Sequence, residues 1–141
     1  MLKMRKFLSP AYRIILTIAI SLSCIGCDQT MKEIARRSLA GLPSLSFWGD
    51  FIRLEYTENI GGFLSFGAEY SFLVRFILLV LLSGMSLSVT FFLAVRPRNS
   101  SWMRFMGLSL ITGGGMGNLL DRINNHGAVV DFISIGIGPF R

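Results

Sequence analysis

Two aspartates near the end of the chain have the residue type and surroundings that acid–base chemistry requires. Asp121 lies in the sequence GNLLDR at 117–122, and Asp131 lies in AVVDF at 128–132. They follow an apolar stretch, and ionisable groups at membrane depth usually have a function because they are costly to keep there. Two carboxyls that share a proton can act as general base and general acid on a water molecule. The pair is therefore a candidate for hydrolytic chemistry.

The neighbours of the two aspartates favour different roles. Asp121 stands beside Arg122, so pairing with that cation or capping a helix end is the favoured interpretation. Asp131 has apolar neighbours and no adjacent cation, which favours a role in chemistry.

Other reactive residues indicate no further site. Cys24 and Cys27 end an apolar segment without the second pair that a zinc site would need, and His126 has no partner histidine or cysteine. The sequence predicts no metal and no cofactor.

Composition indicates a membrane protein. Of the 141 residues, 52% are hydrophobic and only 16% are charged, whereas soluble domains carry about 25% charged residues. The net charge of +6 comes largely from basic residues beside the apolar segments. That placement follows the positive-inside rule, so we predict no nucleic-acid partner.

Three apolar segments are expected to position the aspartates: about 7–27, 72–95 and 102–120. Each is close to the 20 or so residues that cross a bilayer as a helix. We therefore predict an α-helical integral membrane protein with one domain, 1–141, and three transmembrane helices. Asp28 ends the first apolar segment.

Two features inside these segments carry further expectations. Arg13 interrupts the first segment, and we expect its side chain to snorkel to the interface. Gly113 and Gly117 form a G-x-x-x-G pattern, which predicts close approach to another helix.

The distribution of Lys and Arg predicts the orientation. The N-terminus and the loop at 96–104 are expected to be cytoplasmic, and 28–71 and everything after Leu120 to lie on the outer side. Partial alternation at 51–56 predicts a strand of a small outer-face β-platform, and 132–141 is predicted to be an apolar strand or loop.

The motifs resemble those of the lipoprotein signal peptidase (signal peptidase II) family. GNLLDR followed by VVDF carries most of the resemblance, DQTMK at 28–32 is similar to D-Q-x-x-K, and NIG at 59–61 is similar to N-x-G. The resemblance implies an aspartic endopeptidase of the bacterial cytoplasmic (inner) membrane, with its active site on the outer face. It implies two partners: membrane lipids and a prolipoprotein that is cleaved before a diacylglyceryl-modified cysteine.

Roles carry over from this resemblance residue by residue. Asp131 matches one member of the catalytic aspartate dyad. Other matching positions are implied to support the site. Some form a polar shell beside Asp131, some belong to a substrate-site loop, and some lie at the outer end of the first helix, where they fix the outer loop. These positions are Asn118, Asp121, Arg122, Asn59, Gly61, Asp28 and Lys32.

Two family features are absent from the sequence as given: the F-N-x-A-D motif with the second catalytic aspartate, and the fourth membrane helix after it. The resemblance therefore implies a C-terminally truncated member that is inactive as written. One alternative is a degenerate, non-enzymatic membrane protein of the same family. Another is a lipoprotein precursor, because Ile25-Gly26-Cys27 follows a basic and apolar leader.

Overall fold

A computed structural model describes residues 9–62, 67–96 and 101–136. The protein is mostly helical, with a small antiparallel sheet. In chain order the elements are α1 (Pro10–Leu39), β1 (Leu45–Phe47), β2 (Ile52–Asn59), α2 (Phe72–Val95), α3 (Trp102–Asn124) and β3 (Val129–Ile135).

Two helices in the described part of the chain, α1 and α2, are long and apolar enough to cross a membrane. Serine hydroxyls mark where α1 and α3 begin, because Ser9 accepts from Tyr12 N–H and Ser101 accepts from Arg104 N–H, as N-caps do. Helix α3 contains several glycines and polar side chains, and its apolar stretch is less apolar than those of α1 and α2. Its membrane span therefore remains a prediction.

Helix α1 continues beyond the apolar segment that Asp28 ends, as far as Leu39. Its polar end is held by side-chain pairs one helical turn apart: Lys32 with Asp28 at 2.7 Å and Arg37 with Glu33 at 2.6 Å. Such pairs stabilise a helix, so a change from apolar to charged residues does not end one. The 30 residues of α1 reach about 45 Å, well beyond a hydrocarbon core of about 30 Å.

Helix α3 packs against both α1 and α2. A Cβ on Gly113 would lie 2.7 Å from Cys24 Cβ and 2.9 Å from Ser21 Cα, and a Cβ on Gly117 would collide with the Asp28 carboxylate. Only glycine permits this separation between α1 and α3, as the G-x-x-x-G pattern predicts.

The Arg13 side chain reaches both other helices. Its side chain is buried, its Nη1 donates to the Arg96 carbonyl at 2.8 Å, and its guanidinium lies 5.1 Å from the centre of the Phe105 ring. The carbonyls at a helix C-terminus carry partial negative charge, so the end of α2 binds Arg13 in place of water. One side chain thus joins α1, the end of α2 and the beginning of α3.

The sheet has the order β1-β2-β3 with antiparallel neighbours. The predicted strand at 51–56 is confirmed from Ile52 onward as part of β2. Of the predicted strand or loop at 132–141, β3 extends to Ile135, and 137–141 lie outside the described residues. The register between β2 and β3 shifts between Leu54 and Thr57. Because α3 leads directly into β3, the sheet places Asp131 close to the end of that helix.

Candidate active site

A tight turn after α3 brings the Asp131 strand back towards the helix. Gly127 N–H bonds to the Arg122 carbonyl at 2.7 Å, and Ala128 N–H bonds to the Asn125 carbonyl at 3.1 Å. His126 and Gly127 both have positive φ, at 52° and 89°, a region in which glycine carries no Cβ penalty. The residues that follow the turn, Ala128 to Val130, are buried.

Asp121 is the centre of a buried polar network. Its side chain is 3% exposed, and its Oδ2 accepts from Lys32 Nζ at 2.8 Å and from Val130 N–H at 3.2 Å. Its Oδ1 accepts from Gln29 Nε2 at 2.7 Å. Both carboxylate oxygens therefore have donors, and Asp121 fixes the backbone of the residue before Asp131.

Lys32 of α1 connects this network to residues of both α1 and α3. Besides Asp121 it contacts Asp28 Oδ2 at 2.7 Å and Asn118 Oδ1 at 3.0 Å. A buried ammonium requires this many partners because the cost of taking it out of water must be offset. Asp28 and Lys32 both lie inside α1, and Lys32 binds Asn118 and Asp121 of α3.

A second set of contacts holds the Asp131 side chain itself. Asn59 Nδ2 donates to Asp131 Oδ2 at 3.2 Å, and Asn59 Oδ1 accepts from Gly61 N–H at 2.9 Å. Arg122 then donates from Nη2 to the Gly61 carbonyl at 2.9 Å and from Nη1 to the Gly127 carbonyl at 3.0 Å. The buried Arg122 guanidinium thus fastens the Asn59–Gly61 segment and the turn after α3 to each other.

Asp131 lies on a cleft of about 770 Å³, and the buried Asp121 does not line it. The cleft lies between the sheet and the end of α3. It is lined by Glu55, Thr57, Glu58, Asn59, Ile60, Gly62, Asn118, Arg122, Val129, Asp131, Ile133, Ser134 and Ile135. The two aspartates thus differ in burial: Asp131 is open to the cleft, and Asp121 is buried.

Gln29 is the residue to which sequence reasoning assigned no role. It stands in the D-Q-x-x-K motif, but only the structure shows that its amide reaches Asp121 across the α1–α3 contact. The signal that could have found it is its position one residue after Asp28, on a helix that continues.

Comparison with known proteins agrees with this geometry. Residues 20–141 match the profile of signal peptidase (SPase) II. The chain belongs to the signal peptidase II family.

Curated relatives support the assignment, although the chain spans only about two thirds of the length of those it matches. It is 38% identical over 115 residues to the lipoprotein signal peptidase of Chlorobium luteolum, which covers 81% of the chain and 65% of the relative. It is 31% identical over 135 residues to the lipoprotein signal peptidase of Mycobacterium leprae, covering 92% of the chain and 64% of the relative.

A solved structure shows the same fold. It is described as a bacterial membrane enzyme, was determined by the in meso method at 2.3 Å and shares 23% sequence identity. The match has a TM-score of 0.61 and covers 89% of this chain and 74% of the other.

The rim of this signal peptidase II cleft is acidic. Glu55 and Glu58 line it together with Asp131. Tyr56 donates its hydroxyl to Glu58 at 2.7 Å, and this hydrogen bond raises the pKa of the Tyr56 phenol. In the described part of the chain, no group of three or more His, Cys, Asp or Glu side chains is arranged to hold a metal ion.

Proposed function

We propose that the protein is a membrane aspartic endopeptidase that removes signal peptides from diacylglyceryl-modified prolipoproteins. One observation carries the proposal: Asp131 is exposed in the cleft, while its side chain is oriented by Asn59 and its backbone by Asp121 through Val130. An accessible carboxylate held from two sides suits a group that must meet a water molecule and a peptide bond in a fixed geometry.

In this mechanism Asp131 is one of the two carboxyls that exchange protons with the attacking water and the leaving amine. Asn59 holds one Asp131 oxygen and leaves the other for water. Arg122 and Asp121 do not exchange protons. Their hydrogen bonds hold the Asn59–Gly61 segment and β3 against the end of α3.

We expect the second carboxyl to come from the F-N-x-A-D motif that the family resemblance implies. Asp121 cannot supply it, because three donors occupy its two oxygens and it does not line the cleft. We therefore expect residues 1–141 alone not to turn over. A non-enzymatic family member would also show no turnover. The two hypotheses differ in what they predict once a second carboxyl is supplied: the enzyme would then cleave, and the non-enzymatic protein would not.

The proposed setting is the bacterial inner membrane. Helices α1, α2 and α3 all cross it, the N-terminus is cytoplasmic, and the cleft opens on the outer face. The partners are the lipid-modified prolipoprotein and the surrounding lipids. The support is the apolar character of α1 and α2 and the placement of basic residues beside the predicted spans.

The test is cleavage of a diacylglyceryl-modified prolipoprotein in detergent, followed as a gel shift. The chain is extended at its C-terminus with the F-N-x-A-D motif and apolar segment of the family. We expect this extended chain to cleave, and Asp131→Asn to lower the rate by at least about 10²–10⁴, as loss of an acid–base group does.

Two comparisons make the result decisive. The unextended chain should show no turnover, and Asp131→Asn should insert into the membrane as well as the parent does. Near-normal turnover by Asp131→Asn would show that another group does the chemistry. An extended, folded chain without turnover would favour the non-enzymatic alternative.

A further inference from the structure

Asn118 connects the buried polar network to the wall of the cleft. It lies on α3 one turn before Arg122, so the two side chains share a helix face, and both line the cleft together with Asp131. Asn118 is exposed, yet its Oδ1 accepts from the buried Lys32 Nζ at 3.0 Å. The Asn118 side chain is therefore in contact with α1 on one side and with the open cleft on the other.

The contact with Lys32 determines how the Asn118 amide is turned. An ammonium can only donate hydrogen bonds, whereas an amide has an acceptor oxygen and a donor nitrogen. Lys32 thus selects the amide oxygen and leaves the Nδ2 group, with its two N–H donors, on the other side of the amide. Lys32 is itself held by two carboxylates, Asp28 at 2.7 Å and Asp121 at 2.8 Å. Its ammonium therefore has a fixed position from which to orient the amide.

A glycine makes this contact between the helices possible. Gly117 precedes Asn118, and a Cβ there would collide with the Asp28 carboxylate of α1. Lys32 lies one turn after Asp28 and shares its face of α1. Glycine at 117 therefore lets the two helices approach until the Lys32 ammonium reaches the amide that follows in α3.

The neighbouring amide and guanidinium donors of the cleft already have acceptors. Asn59 Nδ2 donates to Asp131 Oδ2 at 3.2 Å, and the Arg122 guanidinium donates from Nη1 and Nη2 to two backbone carbonyls. In the described part of the chain, Asn118 Nδ2 has no acceptor. The amide of Asn118 is thus a donor that the protein leaves for a bound molecule.

We propose that Asn118 Nδ2 donates to the carbonyl oxygen of the scissile peptide bond, and that Lys32 is the positioning residue that keeps it turned towards the cleft. When water adds to the carbonyl carbon, one carboxyl takes a water proton and the carbonyl π electrons move to the oxygen, which becomes negative. The cleft is lined by the carboxylates of Glu55, Glu58 and Asp131, so this oxygen needs a preorganised donor. The inference deepens the proposed function and rests on it.

Asn118→Asp separates the donor from the contact with Lys32. The new carboxylate has nearly the same shape and still accepts from Lys32, so we expect the variant to fold, but it has no N–H to donate. In the extended chain, kcat for the diacylglyceryl-modified prolipoprotein should fall by about 10²–10³, as loss of one oxyanion donor does. KM should change little, because the contact is made in the transition state.

Asn124→Asp is the control for the added charge. Asn124 is the exposed last residue of α3, and this variant should keep the rate of the parent. A raised KM with an unchanged kcat for Asn118→Asp would overturn the proposal, because the amide would then bind a part of the substrate that does not react. Equal rates for Asn118→Asp and Asn124→Asp would overturn it as well.

A double-mutant cycle tests the role of Lys32. Glutamine at this position can present either its oxygen or its nitrogen to Asn118, so it no longer selects one orientation. We expect Lys32→Gln to lower kcat per folded molecule, and this loss to be at least about tenfold smaller when Asn118→Asp is already present. Equal losses in the two backgrounds would contradict the positioning role, because Lys32 would then act on the fold alone.

Nuclear magnetic resonance gives a measurement that does not depend on turnover. In residues 1–141 labelled with nitrogen-15 asparagine in micelles, the Asn118 side-chain N–H signals are assigned by their loss in Asn118→Asp. Added prolipoprotein, which we expect this chain not to cleave, should shift them downfield and leave those of Asn124 in place. Unmoved Asn118 signals would overturn the inference. Shifted signals, together with an extended chain that does not cleave, would support the donor and count against the proposed reaction alone.

Discussion

Lys32 illustrates at the residue scale how a buried charge depends on its partners. Its ammonium serves two carboxylates and an amide oxygen. Lys32→Met would leave Asp121 buried without its cation, and removing one partner of a buried pair costs about 3–5 kcal/mol. We expect a loss of that size in the free energy of unfolding, measured in detergent micelles or bicelles.

Arg37 on the same helix provides the matched control. It pairs with Glu33 at a similar distance, but its side chain is 77% exposed. Exposed pairs contribute about 0–1 kcal/mol, so Arg37→Met should change little. Equal losses for the two variants would contradict the role assigned to Lys32.

At the scale of elements, the contact between α1 and α3 depends on glycine at one position and not at the next. A Cβ at 113 meets Cys24 and Ser21, whereas a Cβ at 114 meets nothing within 4 Å. We expect Gly113→Ala to destabilise the protein by about 1–3 kcal/mol, the usual cost of overpacking. Gly114→Ala should be neutral or slightly stabilising. Thermal unfolding in detergent measures both, and equal effects would refute the packing argument.

At the scale of the whole molecule, the arrangement predicts which side of the membrane each loop faces. In a chain with Cys24→Ala and Cys27→Ala, a single cysteine at Ser44 should react with an impermeant maleimide added outside intact cells. A cysteine at Ser100, outside the described residues, should react only after lysis. This labelling pattern is expected from the placement of Lys and Arg around the predicted spans. The reverse labelling pattern would exclude this topology.

Local patterns predicted much of the protein. Apolar runs located α2 and α3 closely, and alternation located β2. The family was recognised from the same motifs and is confirmed. Patterns did not show which distant side chains meet, as when Lys32 of α1 pairs with Asp121 of α3.

The sequence by itself determined the mostly helical class and the family, because hydropathy and motif spacing are local properties of a chain. Only the tertiary structure decided that Asp121 is buried beneath the site while Asp131 is open to the cleft. It also decided that Gln29 belongs to the network. Burial and hydrogen bonding depend on which segments meet in space, and the contacts of Asp121 join α1, α3 and β3, which lie far apart in the chain.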